Sequence, residues 1–174
     1  QTDRGLVVTL PDQKPCDYVY TLQIRGGGLK PVPFTEVAEV VEPVRPAADG
    51  SLTLIPDAAA VTGGIVAQGG STPNLGYWSS ATDTVSWKVH FDAPGAYDIT
   101  TKTASPDGSR VLVTGVGSDV SLTAPATGDW EKYVDVSGGP LNVAAAGDYT
   151  LTIRPADAAT WKPINLAALV LRRR

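Results

Sequence analysis

The stretch Thr160-Trp161-Lys162-Pro163-Ile164-Asn165-Leu166 combines a loop aromatic with a carboxamide that opens a final apolar run. An indole face stacks on sugar C–H groups, and an amide both donates to and accepts from hydroxyls. This pairing suits the holding of a carbohydrate. A second polar loop carries Tyr77-Trp78, and Trp130, right after Thr127-Gly128-Asp129, starts a strand with either role open to it. Alternation does not dictate burial at these sites, so each ring has two readings, ligand contact or anchoring of its own loop. Asn165 likewise either bonds a sugar or ties off loop backbone.

Other chemistries find less support. Cys16 is the single cysteine and His90 the single histidine, which excludes an intrachain disulfide and a thiolate metal cluster. A lone cysteine reads as a small apolar core residue. His90 falls on the polar side of a strand pattern with no Ser or Asp at motif spacing, so no nucleophile–base pair follows. Gly63-Gly64 and Gly69-Gly70 do not continue as a phosphate loop. Asp83, Asp92, Asp107, Asp119, Asp129, Asp148 and Asp157 are scattered at turns, a turn-forming pattern rather than the paired carboxylates of glycoside hydrolysis. A net charge of −4 without a basic stripe disfavours nucleic acid and anionic membrane, and Arg172-Arg173-Arg174 reads as a solvated end. No apolar run reaches the roughly 20 residues of a membrane-spanning helix. The first residue, Gln1, suggests a processed protein or an excised fragment.

The elements that must hold these loops are strands. Thr84 to Phe91 alternates without a break, Val85, Trp87, Val89 and Phe91 on one side and Thr84, Ser86, Lys88 and His90 on the other. That pattern is a half-buried strand. Asp92-Ala93-Pro94-Gly95 then turns the chain into Ala96–Lys102. Further strands are expected at Arg110–Thr114, Asp119–Leu122, Trp130–Val136, Asp148–Arg154 and Ile164–Leu171. Short strands with turn signals every ~8–12 residues and no amphipathic helix predict an all-β antiparallel sandwich over residues 51–174. Upstream, residues 1–25 read as a hairpin and residues 26–50, with Gly26-Gly27-Gly28 and four prolines, as a linker. Two strands cannot bury both of their faces, so the hairpin needs a sheet from elsewhere.

The order of motifs adds a resemblance. Leu54 to Gly63, Trp78 to Val89, Ala93 to Ile99, Thr127 to Trp130 and Asn165-Leu166 together resemble carbohydrate-binding modules of the family 6 and family 35 type. The resemblance implies a jelly-roll sandwich with a sugar site in loops at one end, built from two aromatics and an Asn opening the last strand. Asn165 matches that Asn, while Trp130 and either Tyr77 or Trp78 fall in the regions that supply the rings. A structural calcium is also implied, between an acid near the first strand and an Asp in the last. Asp57 matches the first position, but Ala167 stands at the second, so a ligand is missing and no cofactor is expected. Residues 5–11 and 17–24 resemble the last strands of the C-terminal β-domain of family 29 α-L-fucosidases. Together the two resemblances imply the C-terminal part of a secreted, bacterial α-L-fucosidase-like hydrolase, extracellular or periplasmic, whose catalytic domain lies upstream. The chain itself is then noncatalytic, with a glycan and that upstream domain as partners. The competing expectation is an accessory sandwich that packs on the catalytic domain and binds no sugar.

Overall fold

Alternation in the sequence becomes two antiparallel sheets. The structure is a computed structural model that describes residues 41–174; the expected hairpin and most of the expected linker lie outside these residues. One sheet contains β1 (Leu52–Leu54), β3 (Val66–Gln68), β4 (Asn74–Gly76), β6 (Gly95–Ala104), β9 (Val134–Ser137), β10 (Leu141–Val143) and β12 (Asn165–Arg173). The other contains β2 (Ala60–Val61), β5 (Val85–Phe91), β7 (Ser109–Thr114), β8 (Val120–Ala124) and β11 (Gly147–Pro155), in the order β2-β5-β11-β7-β8. The only helical turn among the described residues is a 3-10 turn at Pro56–Ala58, opened by a proline whose missing N–H costs nothing there.

The inner faces supply one apolar cluster. Val85, Trp87, Val89 and Phe91 of β5 are buried as their alternation requires, opposite Ile99 of β6 and Leu169 and Leu171 of β12. Buried ring polar atoms find backbone partners: the Trp87 indole N–H donates to the Ile55 carbonyl at 2.9 Å and the Tyr97 hydroxyl to that of Ala93 at 2.8 Å. Leaving such a donor unpaired would cost about 1–3 kcal/mol. Val44, inside the segment read as linker, donates to the Lys88 carbonyl and accepts from the His90 N–H, each at 2.9 Å. It forms a parallel bridge with Val89.

The structure differs from the expectation at Trp130. In place of the strand expected over Trp130–Val136, the strand here is Val134–Ser137. Residues 127–131 instead close a local turn, in which Thr127 Oγ1 bonds the Asp129 carbonyl at 2.8 Å and Asp129 Oδ1 accepts the Glu131 N–H at 2.8 Å. Side chains that bond nearby backbone compete with strand pairing in this way.

Gly115, which follows β7, sits at φ 104°, and a Cβ there would run into the Thr150 carbonyl of β11. Gly115→Ala is therefore expected to lower stability by about 1–3 kcal/mol through backbone strain and overpacking. In denaturant titration the midpoint should drop with the slope unchanged.

Candidate functional site

Asn165 reaches the surface because of an irregularity in β12. The register runs Asn165 to Ala104 and Leu166 to Thr103, then resumes with Ala168 opposite Lys102. Ala167 is thus an extra residue, a bulge, and an extra residue reverses which face each side chain takes. Beyond it the odd positions Leu169 and Leu171 point into the core; before it the even positions Ile164 and Leu166 do. Without the bulge Asn165 would share the face of Leu169. With it, Asn165 is half-buried at the strand end, and its Nδ2 donates to the Trp130 carbonyl at 3.0 Å.

A second reversal occurs at Tyr77-Trp78. Tyr77 is the one non-glycine residue with positive φ among the described residues, at 57°. Left-handed backbone costs a side-chain-bearing residue roughly 1–2 kcal/mol. The turn sends the Tyr77 ring outward, 68% exposed, and the Trp78 ring inward with no exposure. Trp78 Nε1 donates to the Asp83 carbonyl at 3.1 Å, and its ring meets Trp161 with centroids 5.2 Å apart. Trp161 in turn donates from Nε1 to the Trp78 carbonyl at 3.2 Å and packs against the core.

Tyr77, Trp130 and Asn165 converge on one cleft of about 610 Å³. Trp130 is 45% exposed there. Trp78 and Trp161, candidate sugar contacts or loop anchors from the sequence, do not line it. The apolar environment between the sheets and the loop claims their rings, and each indole N–H is already taken by a carbonyl. The aromatic rings that line the cleft are those of Tyr77 and Trp130.

The cleft has polar members that sequence reasoning passed over: Gln68, Asn74, Ser79 and Glu131. Gln68 and Asn74 close the run Gln68-Gly69-Gly70-Ser71-Thr72-Pro73-Asn74, whose polar side chains are the one signal in the sequence for this part of the cleft. Gly76 lies against Gln68 and Asn165, since a Cβ there would strike Gln68 Oε1 and lie 2.9 Å from Asn165 Oδ1. Only glycine lets the two amides approach the backbone so closely. Asn74 is buried with Nδ2 donating to the Thr72 carbonyl at 3.2 Å and Oδ1 without a partner. Burial pushes the Tyr133 hydroxyl above its ordinary value against an opposing hydrogen bond from Asn165. A phenol displaced upward stays neutral at physiological pH.

Asp57, the acid matched to a calcium position, is exposed on the 3-10 turn. No three His, Cys, Asp or Glu side chains come together among the described residues, and the Ala167 side chain offers no oxygen. The residues present do not fit calcium, which takes about six or more oxygen ligands. His90 pairs with Asp148 and Asp92 on the outer face of its sheet and does not line the cleft. No described helix is long and apolar enough to cross a membrane.

No protein-family model and no curated protein matches the chain. Solved structures do. The C-terminal family 6 carbohydrate-binding module of a marine laminarinase from Zobellia galactanivorans superposes with a TM-score of 0.60 at 21% identity, over 71% of this chain and 99% of that one. A β-1,3-glucan-binding family 6 module from Bacillus halodurans gives 0.61 at 22% identity, over 75% and 99%. The fold is that of the family 6 carbohydrate-binding modules. The same sandwich occurs inside larger enzymes: a β-(1,4)-mannanase from Podospora anserina carrying a family 35 module matches with a TM-score of 0.58 at 19% identity, over 72% of this chain and 28% of that one. Tyr77 and Trp130 lie in connecting segments, which a sandwich leaves freer to vary than its core strands, whereas Asn165 opens β12.

Proposed function

We propose that this chain is a noncatalytic carbohydrate-binding module that holds a glycan in the Tyr77–Trp130–Asn165 cleft. The observation that carries the reading is the convergence of two exposed rings and an amide on one cleft, with the amide bonded to the backbone of one of the rings. Tyr77 and Trp130 offer flat faces for sugar C–H groups, and Asn165, Gln68 and Ser79 offer hydroxyl partners. Tyr77 keeps an uncommon backbone conformation to stay outside, a local cost that a binding role would explain. Stacking contributes about 0.5–1.5 kcal/mol per ring beyond area burial and a net hydrogen bond about as much, so affinities should lie in the micromolar to millimolar range.

The wider setting follows from the resemblance of residues 5–24 to the end of a family 29 α-L-fucosidase. In that setting the module keeps an upstream hydrolase close to its glycan outside the cytoplasm. The β-1,3-glucan named for the Bacillus halodurans module makes laminari-oligosaccharides a first probe beside fucose and galactose oligosaccharides.

Calorimetric titration of these oligosaccharides tests the reading. Asn165→Ala removes a hydroxyl partner and releases the Trp130 carbonyl; affinity is expected to fall about tenfold, in line with the loss of one or two hydrogen bonds. The melting temperature should shift by only a few degrees. Absence of binding by the wild type to every glycan would leave an accessory sandwich, and turnover of a chromogenic glycoside by the pure chain would overturn the noncatalytic reading.

A further inference from the structure

The cleft has a one-sided polarity, and from it we propose that it sorts sugars by charge. A unit bearing a protonated amine binds ahead of its neutral counterpart, a uronate unit binds behind it, and Glu131 is the specificity-determining residue. The inference rests on the reading of this cleft as a sugar site and adds the class of sugar to it.

Among the described residues lining the cleft, Glu131 alone carries a charged side chain. Lys132 and Lys162, the sequence neighbours of lining residues Glu131 and Pro163, are exposed but do not line it. Asn165 and Gln68 offer amide oxygens at the cleft, whereas the Asn74 Oδ1 is buried. Asn165 uses Nδ2 on the Trp130 carbonyl and Asn74 uses Nδ2 on that of Thr72; an amide nitrogen engaged with a carbonyl fixes which end is oxygen. Asn165 Oδ1 and Gln68 Oε1 both lie close to the space a Cβ of Gly76 would fill, and each oxygen has two lone pairs. The faces of Tyr77 and Trp130 add the negative side of two aromatic quadrupoles, which attract cations.

A sugar carboxylate entering this cleft would lose water and meet a carboxylate and amide oxygens, with no cationic side chain to take its charge. Such desolvation goes uncompensated. An ammonium would donate to the same oxygens and lie against the same rings. Glu131 is exposed, so solvent screens its contribution, and each step in charge is expected to change affinity by about three- to fivefold rather than by orders of magnitude.

The test is an NMR titration, following the Trp130 indole N–H, with methyl β-D-glucoside, methyl β-D-glucosaminide below the pKa of its amine, and methyl β-D-glucuronide. Laminarihexaose serves as the neutral reference. The expected order of affinity is glucosaminide, glucoside, glucuronide. Glu131→Gln should compress the spread, Glu131→Lys should favour the glucuronide, and added salt should narrow the wild-type differences. Binding of laminarihexaose without that order among the three glycosides, or an order that Glu131→Gln and Glu131→Lys leave unchanged, overturns the charge filter alone. If neither laminarihexaose nor any of the glycosides binds, the sugar-site reading fails and takes the filter with it.

Discussion

Trp78→Ala should lower the stability of the sandwich by about 3–5 kcal/mol, the range for removing a fully buried aromatic. Trp78 has no exposed surface, its indole N–H satisfies the Asp83 carbonyl, and its ring is one wall against which Trp161 packs. Truncation leaves a cavity, an unpaired carbonyl and a loosened Trp161 together. The melting temperature is expected to fall by about 10–20 °C, read by circular dichroism. Trp78→Phe separates the contributions: it keeps most of the ring and removes the donor, so about 1–3 kcal/mol should be lost. A Trp78→Ala protein that melts with the wild type yet binds sugar poorly would refute the assignment of Trp78 to the core.

The paired change Tyr77→Ala with Trp130→Ala should have the opposite profile, with binding lost and folding kept. Tyr77 is 68% exposed and Trp130 45%, so their removal costs the fold far less than that of Trp78, about 0.5 kcal/mol for Tyr77 and about 1 kcal/mol for the half-covered Trp130. Each contributes stacking of about 0.5–1.5 kcal/mol in addition to the apolar area it covers. For a module of micromolar to millimolar affinity, the loss of both, on the order of a hundredfold, carries binding below detection. Tyr77→Gly sharpens the contrast, because glycine takes φ 57° without strain. This variant should unfold no earlier than the wild type while binding more weakly. Full binding by the doubly substituted protein would remove the cleft as the sugar site.

The asymmetry between these two experiments reflects what could be read along the chain. Val85 to Phe91 is a strand because period-2 alternation allows a residue to choose only between two faces, and the burial found there follows it residue by residue. The sandwich class was legible for the same reason. Asn165 was also legible as a polar residue opening an apolar strand, although its outward direction depends on the bulge at Ala167. A trace of that bulge is visible in the sequence, where the spacing of two between Ile164 and Leu166 becomes three between Leu166 and Leu169.

The rings were not legible. Tyr77 and Trp78 are adjacent and chemically alike, and a single positive φ decides which one meets solvent and which one the core. Trp161 lies close to Asn165 in sequence, yet it packs on Trp78 while Trp130, 35 positions away, receives the Asn165 hydrogen bond. The amino-acid sequence by itself determined the layered β architecture, since strand faces are a local property of alternating side chains. Only the tertiary structure decided which aromatics share a cleft with Asn165. Four segments line that cleft, 68–74, 77–79, 130–131 and 163–165, and they meet through the pairing of β12 with β4 and β6, a long-range register that local periodicity does not encode.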